Sequence, residues 1–154
     1  MTANLITDIL TKTYYSPFYY AKQFVVVPNV SYGLLPWEAD LLCCSKNGYL
    51  TEIEIKISLS DWKADLEKRK WQQHNALKLI KKFYYAAPRE LAQRWAEIDM
   101  RPNAGVIAVD EGERGKIEII RAATVGEHRR LTETEMLKLS RLGCLRYWDL
   151  RHRS

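Results

Sequence analysis

The stretch "WEADLLCCSKNGYLTEIEIKIS", Trp37 to Ser58, places Asp40, Glu54 and Lys56 inside runs that otherwise read as buried strand. Two carboxylates and an amine at such positions call for a chemical reason. Alternate residues of a strand share a face, so Thr51, Ile53, Ile55 and Ile57 take one side of "TEIEIKIS". Glu52, Glu54, Lys56 and Ser58 take the other. The isoleucines form the core side, and Glu54 and Lys56 look toward a helix-lined cleft or solvent. Along "EADLLCC", Glu38, Asp40 and Leu42 share a face in the same way.

The loop between the strands decides whether the acids meet. A three-residue loop Lys46-Asn47-Gly48, with Gly48 left-handed, pairs Ser45 with Tyr49. Asp40 then sits opposite Glu54, and Glu38 opposite Lys56. A two-residue Asn47-Gly48 turn would set Asp40 across from Ile55 and flip one strand's side chains to the other face. That register drives Asp40 into the isoleucine layer at a large desolvation cost, so the first is expected.

Directly opposed carboxylates repel one another unless something neutralises them, and a divalent cation does so. Mg²⁺ takes oxygen ligands at about 2.0–2.1 Å, commonly one or two carboxylates with waters and phosphate oxygens. Asp40, Glu54 and the backbone carbonyl of Ile55 would supply such ligands, with Glu38 as a further acid. Lys56 would face the scissile phosphate or the attacking water, its ammonium offsetting charge that builds in the transition state. The plainer reading is a half-exposed strand of alternating Glu and Lys, solvated and salt-bridged.

The elements that must hold these residues can be read in order. "NLITDILTK" is a short helix with one apolar side, and "FVVVPNV" is strand-like up to Pro28. Between them "TYYSPFYYAKQ" is rich in aromatics, which suit packing better than base stacking. "SLSDWKADLEKRKWQQHNALKLIKK" reads as helical from Leu59 toward Lys82, with Ser58 or Ser60 as N-cap and a break near Gln72. Its inner side is Trp62, Leu66, Leu77 and Ile80. "FYYAAP" is a short strand, "PRELAQRWAEI" a helix, and "AGVIAVD" and "KIEIIRAA" two further strands. The C-terminal helix opens with Thr132 and carries Glu135 three residues on, a capping-box pattern. The order α-β-β-β-α-β-α-β-β-α implies an α/β fold, a mixed sheet flanked by helices, in one domain spanning residues 1–154.

Composition narrows the function classes. Nearly half of the 154 residues are apolar, and no apolar run approaches the ~20 residues of a membrane span. No signal-peptide pattern opens the chain, so a cytoplasmic location is expected. Cys43, Cys44 and Cys144 lack a CxxC spacing and read as reduced thiols, and the three histidines show no zinc pattern. The net charge of +5 is mild, but between Asp61 and Trp95 nine Lys or Arg face four acids. Among them Lys63, Lys68, Arg69, Lys70 and Lys78 form either a solvated helix face or a basic flank for an anionic substrate.

With these residues in place, the pattern resembles the PD-(D/E)XK nuclease superfamily: an Asp strand, a turn, a strand bearing (D/E)xK, then a helix on the same sheet. "ADLL…NGYLTEIEIKISLSDWKAD", followed by "KW" and "FYYAAP", is similar to the MmcB-like group of DNA-repair-associated proteins. The resemblance covers Trp37 to Pro88 and extends loosely to Arg121. It implies a restriction-endonuclease-like core and Mg²⁺- or Mn²⁺-dependent hydrolysis of a DNA phosphodiester. Asp40 and Glu54 match its metal-binding acids and Lys56 its catalytic lysine. Ala39 stands where the superfamily's name has Pro. Trp37 and Glu38 stand where the MmcB-like group carries basic residues, which removes positive charge and adds a third acid. Superfamily members often add an acid from the first helix, for which Asp8 is the candidate here. Ser58, Gln72, Gln73 and His74 are further accessory candidates, Ser58 better suited to capping.

The expected function is therefore a metal-dependent deoxyribonuclease in repair, recombination or mobile-element processing. Its expected partners are DNA and, as in many small nucleases that cut both strands, a second copy of the chain. An alternative is a DNA-binding or scaffold domain that keeps the fold without cutting. A third reading treats the hairpin acids as plain surface and the aromatic N-terminal stretch as a protein contact.

Overall fold

The computed structural model describes residues 1–14, 25–30, 34–66, 78–97, 103–112 and 116–153. Six strands join edge to edge in chain order: β1 (Val25–Val30), β2 (Ala39–Cys44), β3 (Leu50–Ile55), β4 (Ile80–Pro88), β5 (Ala104–Asp110) and β6 (Lys116–Arg121). β1, β2 and β3 form an antiparallel meander, β3, β4 and β5 run parallel, and β6 returns antiparallel. Each parallel step needs a crossover. The first passes through α2 (Leu59–Leu66) and the second through α3 (Arg89–Glu97). With α1 (Ala3–Ile9) and α4 (Glu133–Arg153), the described helices flank a single mixed sheet, the α/β architecture that the element order implies.

Apolar side chains fill both faces of the sheet. Leu41, Cys43, Ile53, Ile55, Tyr84, Ala86, Ile107 and Val109 pack with Ile6, Ile9 and Leu10 on the α1 side. Leu42, Leu50, Phe83, Tyr85, Val106 and Ala108 pack on the other side, with Trp62 of α2, Ala92 and Trp95 of α3 and Leu139 of α4. Central strands covered on both faces lose the in-out alternation of a half-exposed sheet. Hence the last five residues of β4 before Pro88 are all buried, whereas the edge strand β6 has none buried.

Several boundaries differ from expectation for identifiable reasons. β1 runs past Pro28 to Val30, because it is an edge strand on which a missing N–H can be tolerated, and Asn29 turns left-handed at φ 51°. The helical reading toward Lys82 fails at its end. Lys78 adopts φ 49° and β4 begins at Ile80, so Ile80 belongs to a strand. A register shift between Leu50 and Thr51, where the pairing jumps from Ile80 to Lys82, lets both Ile80 and Phe83 face the α2 side. Ile57 lies beyond the end of β3 and is exposed, not part of the isoleucine core.

The C-terminal helix is fixed at its start as its sequence implies. The Thr132 amide donates to Glu135 Oε1 at 2.9 Å, and the Glu135 amide donates to Thr132 Oγ1 at 3.2 Å. Arg129 adds a two-pronged contact to the same carboxylate at 2.7 and 2.9 Å.

Candidate functional site

The β2–β3 hairpin sets the site. The Ser45 amide donates to the Tyr49 carbonyl at 2.9 Å and the Gly48 amide to the Ser45 carbonyl at 2.9 Å, with Gly48 left-handed at φ 85°. This is the three-residue loop. The strands then pair Cys44 with Leu50, Cys43 with Thr51, Leu42 with Glu52 and Leu41 with Ile53. One more step in this register sets Asp40 opposite Glu54. The Ile55 amide, next in line for a ladder bond, is taken instead by Asp40 Oδ2 at 2.7 Å. Asp40 thus closes the ladder with its side chain and stays at the mouth of the strands.

The face bearing Glu54 and Lys56 is far deeper than an alternating surface strand. Glu52, Glu54 and Lys56 are buried, and so is Asp65 of α2. Lys56 Nζ lies 3.2 Å from Asp65 Oδ1 and 3.7 Å from Glu54 Oε1. The Tyr85 hydroxyl donates to Asp65 Oδ2 at 3.1 Å, and the Trp37 indole N–H bridges both oxygens of Glu52 at 3.2 Å. α2 seals this layer. Ser58 Oγ accepts the Asp61 amide at 3.2 Å and starts the helix. Trp62 then stacks on Trp95 at 4.4 Å and tilts against Tyr85 at 4.9 Å.

Asp65 is the residue that strand periodicity could not reveal. Its signal lies in the helix: three positions after Trp62, it falls on the same inward side. Its carboxylate holds the Lys56 ammonium from the α2 side, and the Tyr85 hydroxyl of β4 holds that carboxylate in turn.

Where α2 begins, the layer opens into a cleft of about 420 Å³ lined by Trp37, Glu38, Asp40, Glu54, Ile55, Lys56 and Asp61. Asp40, Glu54, Ile55 and Lys56, with Glu38, therefore meet on one cavity. Their donors are carboxylate and carbonyl oxygens, the hard set that suits Mg²⁺ or Mn²⁺. Among the described residues no three His, Cys, Asp or Glu side chains close on one point. Two carboxylates nevertheless match the number Mg²⁺ commonly takes beside water and phosphate oxygens. Asp61, in the first turn of α2, is a fourth acid on the wall beside Glu38, Asp40 and Glu54, a place that its sequence position at a helix start does not announce.

Other candidates fall elsewhere. Asp8 is exposed on α1, which packs against the opposite face of the sheet, so it does not join the cleft. Lys63 is exposed on α2. Lys78 sits at the entrance to β4, paired with Glu127 at 2.6 Å. Lys68, Arg69, Lys70, Gln72, Gln73 and His74, and the aromatic stretch from Tyr15 to Tyr20, lie outside the described residues.

The fold has a counterpart among solved structures. The chain is similar to the SPO1766 protein of unknown function from Silicibacter pomeroyi, with a TM-score of 0.56 and 21% identity. The match covers 84% of this chain and 77% of that one. No family model matches the chain, and no curated protein does. No described helix is long and apolar enough to cross a membrane.

Proposed function

We propose that the chain is a metal-dependent nuclease that hydrolyses DNA phosphodiesters, as its resemblance to the PD-(D/E)XK superfamily implies. One observation carries this reading: Asp40, Glu54, Ile55 and Lys56, drawn from two neighbouring strands and the residue that follows them, line a single cleft. A divalent cation held by Asp40, Glu54 and the Ile55 carbonyl would supply Lewis acidity toward a phosphate oxygen and an acidified water. The chain's own residues do the rest. Asp65, itself fixed by the Tyr85 hydroxyl, holds the Lys56 ammonium beside Glu54 at the cleft wall, where it stabilises charge on the phosphate in the transition state. The water oxygen bonds to phosphorus, the bond to the leaving oxygen breaks, and the water's proton is released as the leaving oxygen gains one. Glu38 and Asp61 add negative charge at the rim, which favours cations and holds back polyanions unless a cation is present.

A second reading, a nuclease fold kept for DNA docking without cutting, draws on the depth of Lys56, which is only 3% exposed. Cleavage of end-labelled single-stranded, duplex, flapped and branched DNA with Mg²⁺ or Mn²⁺ separates the two. The nuclease reading requires cutting that EDTA, Lys56→Ala and Glu54→Ala each abolish. DNA binding without cutting, indifferent to both substitutions, would replace it with the second.

A further inference from the structure

The C-terminal helix reaches the cleft end of the sheet carrying exposed aromatic and basic side chains. Two residues before it begins, the Leu131 amide donates to the Gly48 carbonyl at 2.8 Å, at the hairpin end of β2 and β3. Further along, Gly143 lies against Val27, and Arg146 Nη2 donates to the Asn29 carbonyl at 2.7 Å. β1 ends one residue later at Val30, which pairs with Ala39, the neighbour of Asp40. α4 therefore runs along β1 from the hairpin loop toward the mouth of the cleft, on the same face as Glu54 and Lys56. The seven residues after Arg146 carry it about 10 Å farther.

This last stretch is aromatic and basic. Tyr147 and Trp148 are 54% and 49% exposed, with their rings edge to face at 5.1 Å. His152 lies one turn from Trp148, ring centroids 6.1 Å apart, and Arg151 and Arg153 are exposed beside it. Asp149, the one acid here, pairs with Arg146 at 3.6 Å. Basic residues in a last turn are accounted for by the helix dipole. Two large aromatic rings left half in water are not.

We infer that the end of α4, through Trp148 and Tyr147 with Arg151, His152 and Arg153, is a docking surface for an unpaired DNA strand on its way to the cleft. Exposed rings accept bases of any sequence by stacking, while neighbouring cations follow the phosphates. The choice of DNA rests on the nuclease reading, and the grip supplies positive charge that the acidic rim of the cleft lacks.

The test is binding of a labelled oligothymidine to the full chain by fluorescence anisotropy in EDTA, over a series of salt concentrations. Working without metal keeps it independent of cleavage, so loss of the nuclease reading would leave this result intact. Trp148→Ala should weaken binding at least fivefold, and Trp148→Phe should retain most of it. Arg151→Ala with Arg153→Ala should flatten the salt dependence by about 0.7 for each phosphate that is no longer neutralised. All three residues are exposed, and a thermal melt of each variant separates lost binding from a lost fold. Affinity and salt slope unchanged in a folded Trp148→Ala would overturn the inference. So would a wild-type dimer that Trp148→Ala turns into a monomer, which would assign the rings to a second copy.

Discussion

Asp65 decides what Lys56 can do, because a buried ammonium depends on the charges set against it. Removing one partner of a buried ion pair strands the other, at about 3–5 kcal/mol. Asp65→Ala is expected to lower the stability measured by urea denaturation by that amount. The double variant Lys56→Met with Asp65→Asn keeps an acceptor for the Tyr85 hydroxyl and strands no ammonium, though Glu54 loses its 3.7 Å contact with Lys56, so it should recover only part of the loss. Equal losses in the two variants would mean that the pair contributes nothing as a pair. Asp40, Glu54 and Lys56 were legible in the sequence because strand period is two and a charged residue between isoleucines breaks the pattern visibly. Asp65 was not, since an acid in a Lys-rich helix reads as surface, and only its spacing from Trp62 turns it inward. The same limit hid the depth of Glu52 and Glu54: alternation shows which face a side chain takes, not whether a helix covers that face.

At the scale of elements, the site depends on a hairpin register that one residue maintains. Gly48 holds φ 85°, where a Cβ costs about 1–2 kcal/mol. The nearest outside atom to such a Cβ, Met136 Sδ, lies at an ordinary 3.5 Å, so the cost comes from the backbone alone. Gly48→Ala should therefore destabilise the fold by that amount and Gly48→Asn by less, as thermal melts would show. The register was readable because the alternative buries Asp40 among isoleucines. The start of β4 was not: "LKLIKK" satisfies helical spacing through Leu77 and Ile80, and the bulge at Lys81 breaks the strand alternation that would have competed. The capping box of α4, legible in the sequence apart from its Arg129 contact, gives the chain a pH signature. The Arg129 contact and the Thr132 amide pull the Glu135 carboxyl down to about 2 from an ordinary 4.5. A depressed acid stabilises the fold above its unfolded value, and the contribution fades as pH falls from 4.5 toward 2. The gap in melting temperature between wild type and Glu135→Gln should be fully open at pH 6 and closed near pH 2. A gap that stays constant with pH would show that the carboxylate charge is not what holds the cap.

The whole molecule ties ligand occupancy to global stability, because the cleft is assembled from three elements that only the packed sheet holds together. Its wall takes Asp40 from β2, Glu54 and Ile55 from β3, and Asp61 from α2. β3 is also an inner strand of the sheet, and α2 reaches α3 through Trp62 and Trp95. Unfolding disperses these oxygens, so a cation that binds them stabilises the folded state by RT ln(1 + [L]/Kd). At ten times Kd this is about 1.4 kcal/mol, or about 3–6 °C in melting temperature for a chain of this size. Mn²⁺ titrated into wild type should raise the melting point by such a margin, and EDTA should reverse it. Glu54→Gln and Asp40→Asn should each remove most of the shift, because each replaces an anionic donor with a neutral amide. Asp8→Asn, on the far face, should leave it intact. A Mn²⁺ shift that survives in both cleft variants would place the ion elsewhere on the surface and withdraw the donors on which the proposed hydrolysis depends. Loss of the shift in both, with Asp8→Asn unaffected, would tie the metal to the cleft before any substrate is known.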